Sequence, residues 1–525
     1  MTEAARKFPP TLFESPRAMW ALIVAYAVVV FALRWTLFPA ASQDDAEQIV
    51  FAQTLAAGYN PGQPPLVTWL IHFVERAFGA PLFAVLAVKY AFILAIYVFL
   101  YLAARSVLHD RLLAGLAALS PVALLYVGWD ALVNYSNTIA LAVACAASFF
   151  AFARVVRSGS VWAYVGLGVA AAFGVLAKYG YGVFIGALLL AAMFEPAMRK
   201  RMLNVRVLIA VAVCLLILAP HIIWLIEGGD MISRAFAERL SAEKAPGYLS
   251  GAARGLVKLA NAVVTFLFPL VLIMPALFWP ALLPRKRQPD VAPAPAAPRW
   301  DRFLLLMFAA MIAILAAGVL LLGVSNVRTH YMFILLLAPL FVFLRIEAVG
   351  VAAWRLRVYG WVLIGACLVS TGGLVVRHLW EPLWERKPYL HMPYAALAQQ
   401  LRAAGFSYGT IVADYDVKDE SRIYRIYIDG NLRAQFPSSR VVSVKYPWYQ
   451  PPPLAIPNDG KAFPCILIWD TRNGAALSAR LAEFAARHCT LPASLAGQVR
   501  YVEAPLLNAP KQTMKLGYVI VSAPH

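Results

Sequence analysis

Charged residues are scarce in this sequence of 525 residues: Asp, Glu, Lys and Arg together make up 14% of it. Hydrophobic residues make up 62%, and the mean hydropathy is +0.69. Soluble domains are about 45–50% apolar and about 25% charged. A chain with so little charge does not fit a water-soluble globular fold, and the composition indicates an integral membrane protein.

Acidic residues are fewer than basic ones, at 27 against 46, which gives a formal net charge of +19. A charge of this size is also found in proteins that bind nucleic acid. Here, however, Lys and Arg are clustered in short segments between apolar runs, as the positive-inside rule expects for cytoplasmic loops. The position of the charges therefore excludes nucleic acid as a partner.

Several common signatures are missing from the sequence. No His/Cys cluster has the spacing of a zinc site, and the polar C-terminal part has no Gly-rich phosphate loop. No small-residue cleavage site follows the first apolar run, so we interpret that run as a membrane anchor. Two of the five cysteines, Cys465 and Cys489, lie in the polar C-terminal part, where either a disulfide or two buried thiols fits the sequence.

Long apolar runs occupy most of the chain. A helix that spans a bilayer needs about 20 predominantly apolar residues, and somewhat fewer if it is short or shielded. Eleven candidate segments begin near Met19, Leu82, Leu112, Thr138, Val161, Tyr181, Val207, Leu256, Phe303, Tyr331 and Val358. We therefore predict a mainly α-helical polytopic membrane protein with about 11 transmembrane helices.

The basic residues predict an orientation. Arg6, Lys7 and Arg17 precede the first apolar segment, which places the N-terminus in the cytoplasm. Alternation then places five Arg/Lys-rich loops on the same side: residues 105–111, 154–157, 199–206, 285–302 and 345–357. The opposite loops, which carry most of the acids, are residues 38–80, 128–137, 178–180, 227–255 and 325–330.

The sequence changes in character near residue 388. Predicted helices alternate with β-type runs there, and this alternation indicates a small α/β domain. The helices cover residues 394–404 and 477–488, and the β-type runs cover 410–413, 440–444, 466–470 and 518–521. We therefore predict a transmembrane domain, 1–380, and an extracytoplasmic α/β domain, 381–525, and we interpret the Pro/Ala-rich segment 284–302 as a basic cytoplasmic linker.

The first outer loop concentrates acids: Asp44, Asp45 and Glu47 lie within four residues just after a predicted span. Asp44, Gln48 and Phe51 share one helical face, which Ala52 and Leu55 continue, so the spacing predicts a helix along the membrane interface with an acid at its start. A partly dehydrated carboxylate in that place can serve as a general base. A solvated acidic loop, or an oxygen-ligand site for a divalent ion, is also compatible with these residues.

Cations lie on the same predicted side. Lys178, His221, Arg328 and His330 fall at the outer ends of predicted spans, where they would meet a lipid phosphate near the headgroup level. Snorkelling, or contact with ordinary headgroups, explains any single one of them equally well. Tyr179 fits the lining of a sugar pocket or an interfacial aromatic belt.

Short motifs in the chain resemble those of a known family. The first outer loop contains Asp44-Asp45, Gly58-Tyr59, Pro64-Pro65-Leu66 and Trp69-Leu70. Weaker matches follow at Leu176-Ala177-Lys178-Tyr179, Pro220-His221-Ile222-Ile223-Trp224 and Arg328-Thr329-His330-Tyr331. This set, which covers roughly residues 18–345, resembles the dolichyl-phosphate-mannose protein mannosyltransferase-like family, which includes the bacterial aminoarabinose transferases of lipid A.

The resemblance implies a GT-C fold in a bacterial inner membrane and an inverting glycosyltransferase. The donor would be a sugar, hexosyl or pentosyl, on a polyprenyl phosphate. The acceptor would be a cell-envelope molecule at the periplasmic face: lipid A, lipopolysaccharide, another glycan or a protein. The resemblance makes Asp44 the acid/base residue, with Asp45 as the second catalytic candidate. The candidates for substrate binding are Glu47, Tyr59, Gln63, Lys178, Tyr179, His221, Arg328 and His330.

Two positions depart from the family pattern. Asp45 stands where Glu is usual, and Gln63 stands before the Pro pair where many relatives have Lys or His. Because an amide carries no charge, Gln63 does not compensate a phosphate as a cation does.

Two other functions compete with the glycosyltransferase. A transporter or flippase for a lipid or small molecule would place charges or paired broken helices midway through its spans. In this sequence nearly all acids lie in loops, and no paired spans interrupted by Gly or Pro stand out. A non-catalytic scaffold that displays the C-terminal domain does not explain the Asp44 motif.

Overall fold

We describe the protein from a computed structural model of the chain. The structure describes residues 13–229, 247–283, 298–384, 389–414, 427–454, 463–492 and 497–521, with four isolated positions in between. Parts of the predicted loop 227–255 and most of the predicted linker 284–302 lie outside the described residues.

Helices make up most of the described residues as far as Trp384. They are α1 (Pro16–Leu37), α2 (Gln43–Phe51), α3 (Leu66–Phe78), α4 (Pro81–Val107), α5 (Arg111–Leu119), α6 (Leu125–Gly128), α7 (Ser136–Ser158), α8 (Val161–Ala177), α9 (Tyr181–Met193), α10 (Pro196–Met202), α11 (Val207–Glu227), α12 (Tyr248–Leu267), α13 (Leu270–Leu282), α14 (Trp300–Leu322), α15 (Ala338–Val349) and α16 (Ala353–Trp384). Short 3-10 helices lie at Ser120–Ala123, Asp130–Leu132 and Thr329–Leu335.

Seven helical segments of the described chain are long and apolar enough to cross a membrane. They are α1, α4, α7, α11, α14, α16 and the segment Thr329–Val349, in which a 3-10 helix runs into α15. Three further pairs of helices satisfy the same test only together, which raises the number to ten if each pair is one span, and α8 is a shorter apolar helix. The polytopic α-helical fold is confirmed, whereas the number of eleven spans is not.

The three pairs are bent, which the sequence analysis did not predict. The bends are 75° within 111–132, 119° between α9 and α10, and 70° between α12 and α13. Pro196 and Pro269 lie at two of these breaks, and Pro121 lies three residues before the third, which falls at Leu124. Proline lacks the N–H that a continuous helix needs, and its ring clashes with the preceding turn.

The chain forms two compact units. The first comprises Met1–Val29, Asn60–Leu66 and Lys89–Ser370. Helix α7 is largely buried in this unit. Helices α8 and α11 approach closely at Gly168, where an added Cβ would lie 2.5 Å from the carbonyl oxygen of Ala210. Small residues allow this approach, as is common between membrane helices.

The second unit comprises Val30–Tyr59, Val67–Val88 and Thr371–His525. It therefore combines the acidic part of the first outer loop with the C-terminal residues. The elements of its C-terminal part are α17 (Tyr394–Ala403), β1 (Thr410–Ala413), α18 (Ile428–Gln435), β2 (Arg440–Ser443), β3 (Cys465–Asp470), α19 (Ala479–Ala486), β4 (Arg500–Leu506) and β5 (Ala509–Val521). The division of the chain into domains at residues 380 and 381 stays a prediction.

The five strands form one mixed sheet in the order β2-β1-β3-β5-β4. Strand β1 pairs in parallel with β2 and β3, and β5 pairs antiparallel with β3 and β4. Neighbouring residues of a strand face opposite sides of the sheet. Ile411 accordingly packs with Leu397 of α17 and Leu432 of α18, and Val412 packs with Leu481 of α19.

The predicted small α/β domain is confirmed. The predicted strands 410–413, 440–444, 466–470 and 518–521 all lie on or next to observed strands, and both predicted helices are present with shorter bounds. Helix α18, strand β4 and the first part of β5 were not predicted. Strand β4 has a fairly regular alternation of exposed and buried residues, but its sequence RYVEAPL contains Pro505, which weakens the strand signal.

Cys465 and Cys489 form a disulfide, with their Cα atoms 6.1 Å apart. The bond connects the first residue of β3 to the segment after α19, across a separation of 24 residues. This settles the choice that the sequence left open between a disulfide and two thiols.

Replacing both Cys465 and Cys489 by Ser is expected to lower the free energy of unfolding by about 3 kcal/mol, because a loop of this length is no longer restrained in the unfolded chain. Thermal unfolding in detergent measures the effect. Cys214→Ala, at a free cysteine of α11, is the control. An unchanged midpoint in the double variant, or the same midpoint with and without reductant, would contradict this expectation.

Candidate active site

Helix α2 carries the acids of the first outer loop. It starts at Gln43, with Ser42 as its N-cap, and both Asp44 and Asp45 lie in its first turn. The positive end of the helix dipole favours negative charge there. The helix ends at Phe51, and Leu55 lies outside it with an exposed side chain. The prediction that the apolar helical face continues to Leu55 was therefore wrong.

The two aspartates differ in their surroundings. Asp45 is fully buried, and its Oδ2 accepts a hydrogen bond of 2.8 Å from the hydroxyl of Ser42. This contact between the N-cap residue and the third helical residue stabilises the start of the helix. Asp44 is only half-buried. Of the two carboxylates, Asp44 is therefore the more accessible.

Glu47 is held by residues of the C-terminal part. Its Oε2 accepts a hydrogen bond of 2.9 Å from the Tyr446 hydroxyl and lies 3.3 Å from Nζ of Lys445. Lys445 Nζ also lies 4.6 Å from the ring centre of Tyr427 and 4.5 Å from that of Tyr446. The ammonium group is thus placed against one carboxylate and two aromatic faces.

Asp429 adds a second buried acid to this group. Burial raises the pKa of Asp429, whereas the charge of Lys445 and the backbone N–H of Gly430 act to lower it. Burial also raises the pKa of Tyr446, and the carboxylates of Glu47 and Asp429 add to that effect. Lys445 is the positive charge at the centre of this cluster.

The sequence analysis missed Lys445, Tyr446 and Asp429. Lys445 and Tyr446 come just after β2, one of the parallel strands. Ligand sites of α/β sheets often lie at the carboxyl ends of parallel strands. The predicted strand 440–444 followed by Lys-Tyr therefore contained a usable signal, whereas nothing in the sequence around Asp429 indicates its position.

Helix α18 packs directly on helix α2. Gly430 lies so close to Ala46 that an added Cβ would be 2.1 Å from the Ala46 carbonyl oxygen. One turn of helix further along, Arg433 donates to the carbonyl oxygen of Ile49 at 2.6 Å and forms a two-pronged ion pair with Glu75. Asn431 accepts from the backbone N–H of Ala41 at 2.7 Å. These contacts fix α2 on both sides of its acids.

The segment after α2 is also tied to the sheet. The amide of Gln53 both donates to the carbonyl oxygen of Val441, at 2.9 Å, and accepts from its N–H, at 2.8 Å. Val441 belongs to β2, the edge strand. The Gln53 side chain thus provides the two hydrogen bonds that a neighbouring strand would provide.

Tyr59 lies inside the second unit. Its ring is buried, its hydroxyl donates to the carbonyl oxygen of Thr54 at 2.7 Å, and burial raises its pKa to about 12. The indole N–H of Trp69, another residue of the first-loop motif, donates to the carbonyl oxygen of Ala56 at 2.6 Å. These two motif residues therefore shape the loop, and the role of Tyr59 in substrate binding stays a prediction.

The other predicted binding residues belong to the first unit, where three of them are brought to the start of α7. Lys178 Nζ donates to Thr138 Oγ1 at 2.6 Å, and the ring of His330 lies 5.3 Å from that of Tyr135, the N-cap residue. Gln63 accepts a hydrogen bond from the side-chain amide of Asn137.

A helix N-terminus with an adjacent ammonium group is suited to bind an anion. The start of α7 therefore combines the positive end of the helix dipole with the ammonium group of Lys178. Gln63 lies beside them but adds no charge. The Lys178 ammonium group also lies 5.5 Å from the ring centre of Tyr331.

Tyr179 and His221 form a separate pair. The Tyr179 hydroxyl lies 3.0 Å from Nε2 of His221, and the His221 ring stacks on Trp224 at a centre-to-centre distance of 5.6 Å. His221 is buried, whereas Tyr179 is exposed. Arg328 is exposed at the N-cap position of the 3-10 helix Thr329–Leu335.

Within the described part of the chain, no group of three or more His, Cys, Asp or Glu side chains is arranged to hold a metal ion. This finding covers Asp44, Asp45 and Glu47. The carboxylate of Glu47 is instead occupied by Lys445 and Tyr446.

Comparison with known proteins agrees with this architecture. Residues 62–224 match the family described as dolichyl-phosphate-mannose-protein mannosyltransferase. The lipopolysaccharide core galacturonosyltransferase RgtB of Rhizobium johnstonii is 28% identical over 461 residues, which cover 86% of this chain and 86% of that protein. The galacturonosyltransferase RgtA of the same organism is 28% identical over 431 residues, covering 81% and 82%.

A solved structure has the same fold. The crystal structure of ArnT from Cupriavidus metallidurans, bound to undecaprenyl phosphate, matches with a TM-score of 0.61 at 13% sequence identity. The match covers 96% of this chain and 98% of the ArnT chain. The GT-C fold and the family resemblance drawn from the first-loop motifs are thereby confirmed. The roles of the individual residues stay predictions.

Gly430→Ala is expected to lower the free energy of unfolding by about 1–3 kcal/mol, because the new methyl group meets the backbone of Ala46 and separates α18 from α2. Thermal unfolding of the purified protein measures the loss. The matched control is Gly372→Ala in α16, where an added Cβ meets no atom within 4 Å. Equal midpoints for the two variants would show that the close contact has no energetic weight.

Proposed function

We propose that this chain, a membrane glycosyltransferase with the GT-C fold, transfers a sugar from a polyprenyl-phosphate donor to the core of lipopolysaccharide at the periplasmic face of the inner membrane. The observation that carries the proposal is the half-buried carboxylate of Asp44 in the first turn of a helix that the C-terminal part fixes in place. The names of the two Rhizobium relatives make galacturonic acid the first sugar to test.

In the proposed reaction, Asp44 acts as the general base. Its carboxylate takes the proton of an acceptor hydroxyl while the hydroxyl oxygen attacks the anomeric carbon of the donor sugar. The bond from that carbon to the phosphate oxygen breaks, and polyprenyl phosphate leaves with the electron pair. Because attack and departure occur on opposite faces, the configuration at the anomeric carbon is inverted.

Asp44 suits this role better than Asp45. A general base must come within hydrogen-bond distance of the proton that it removes. Asp45 is fully buried and is bound to the N-cap hydroxyl of Ser42. We therefore assign Asp45 to holding the first turn of α2. Lys445 and Tyr446 act as positioning residues, because they hold Glu47 one turn further along the same helix.

The donor phosphate is assigned to the cations of the first unit. Lys178 and His330 lie at the start of α7, where the helix dipole adds to their positive character. Arg328, Tyr179 and His221 are further candidates for contact with the donor. Lys178 and Arg328 supply the positive charge that Gln63 lacks.

The proposed periplasmic location of the C-terminal part rests on two observations. Disulfides persist in oxidising compartments such as the bacterial periplasm, and the C-terminal part contains the disulfide Cys465–Cys489. The basic loops independently support an N-terminus in the cytoplasm and a C-terminal part on the opposite side.

Asp44→Asn is expected to reduce sugar transfer about 100- to 10,000-fold, because the amide cannot accept the proton. The assay measures label transferred from radiolabelled polyprenyl-phosphate galacturonic acid to lipopolysaccharide, in membranes with matched protein levels. Asp45→Asn is the comparison variant, and we expect partial activity because an amide oxygen still accepts from Ser42.

The outcomes separate the hypotheses. An inactive Asp45→Asn together with an active Asp44→Asn would keep the glycosyltransferase but move the base by one residue. Unchanged transfer in both variants would remove the proposed mechanism. The absence of transfer from any donor would make lipid transport the next activity to test.

Lys178→Gln is expected to reduce kcat/KM for the donor about tenfold or more, since a hydrogen bond to a charged group is worth about 1.5–3 kcal/mol. Initial rates at varied donor concentration provide the measurement. Lys258→Gln, at an exposed lysine of α12, serves as the control for loss of a positive charge. If both variants have the same donor kinetics as wild type, the phosphate is bound elsewhere.

A further inference from the structure

A polar cavity of about 730 Å³ lies within the second unit, next to the C-terminal end of helix α2. Residues 52–54, which follow α2, form one wall, and the prolines 451–453 form another. The side chains in its lining that carry or can carry a charge are His72, Glu75, Arg76, Arg433 and Arg440. The proposed reaction assigns no chemical role to any of these residues.

The charges in this lining do not cancel. Arg433 is buried and paired with Glu75. Neither Arg76 nor Arg440 makes an ion pair within the part of the chain that the structure describes. The cavity therefore has two positive charges left over after its one acid is counted.

Arg440 is held in a fixed orientation. Its side chain is buried, its Nε donates to the carbonyl oxygen of Pro451 at 2.9 Å, and its Nη2 lies 3.4 Å from Nδ1 of His488. Burial lowers the pKa of His488, and the charges of Arg440 and Arg487 lower it further. A guanidinium group that is held in advance loses little entropy when it binds an anion.

Arg76 lies on a helix that has the features of a membrane-surface helix. Helix α3 exposes Phe73 and Phe78, three residues before and two residues after Arg76. Exposed aromatic residues beside a basic residue are typical of helices that lie in the headgroup region. This pattern supports a position of α3 at the membrane surface, where a membrane-anchored molecule would reach the cavity.

We infer that this cavity binds an anionic group, a phosphate or carboxylate, of the lipid-anchored acceptor. The identity of the acceptor rests on the function proposed above, whereas the anion chemistry rests on Arg76 and Arg440. Arginine recognises both kinds of anion through its planar set of donors.

The site lies at a distance from the reacting hydroxyl. Asp44 and Ala52 are eight residues apart, so the cavity begins roughly 12 Å along the axis of α2 from the base. The bound anion thus belongs to a part of the acceptor that does not react. A contact of this kind contributes to acceptor binding rather than to the chemical step.

Arg76→Gln tests the inference, because Arg76 is exposed and its replacement leaves the core unchanged. We expect at least a fivefold rise in the acceptor KM, with kcat and the donor KM unchanged, and partial recovery in Arg76→Lys. Arg480→Gln, at an exposed arginine of α19, is the matched control. An unchanged acceptor KM in Arg76→Gln would overturn the inference.

A binding measurement separates this inference from the proposed function. The full-length Asp44→Asn variant, with and without Arg76→Gln, is titrated with lipopolysaccharide micelles and with phosphatidylglycerol vesicles. A loss of affinity for lipopolysaccharide alone supports the acceptor site even if no transfer is ever observed. An equal loss for both lipids would overturn it, because the cavity would then bind any anionic headgroup.

Discussion

The contact of Arg433 with Ile49 and Glu75 is the interaction on which the placement of the acids depends. A helix of nine residues is too short to be stable alone in water, so packing must fix its position. Arg433 provides such a fixed point because its guanidinium is buried and every pairing that it makes is within the second unit. Losing one partner of a buried ion pair costs about 3–5 kcal/mol, since the other charge stays buried. The orientation of Asp44 therefore depends on a residue almost 400 positions away in the chain.

The cluster around Lys445 also holds α2 in place through buried charges, but here two acids share one cation. Glu47 and Asp429 are buried acids, and one ammonium group serves both, together with two tyrosine rings. A buried polar group that loses its partner costs more than the hydrogen bond itself contributes. Such a network tolerates only one arrangement of α2, α18 and the end of β2. The residues that pack α2 against the C-terminal part thus also hold the carboxylates of the candidate site in place.

Hydrophobic length and basic loops were enough to predict the class of fold, because a membrane span is a local property of about 20 residues. The bends near Pro121 and Pro269 were missed because both halves of each pair are largely apolar. The bend at Pro196 was missed because the basic residues of α10 were predicted as a loop. In the candidate site, the motif identified Asp44 because its residues are adjacent in sequence. Lys445 and Asp429 reach Glu47 only through the tertiary fold, and no local pattern records a contact over about 400 residues.

The Gln53 side chain completes the hydrogen bonds of Val441 on edge strand β2. Exposed edge strands are templates for pairing with other chains, and proteins protect them by covering or interrupting them. The protection of β2 comes from the first outer loop, which is about 390 residues away in sequence. The C-terminal part is therefore not a domain that can be expressed separately. Without the loop, it would expose the edge of β2 and the apolar surface that Phe51 and Tyr59 now cover. Both surfaces would promote aggregation.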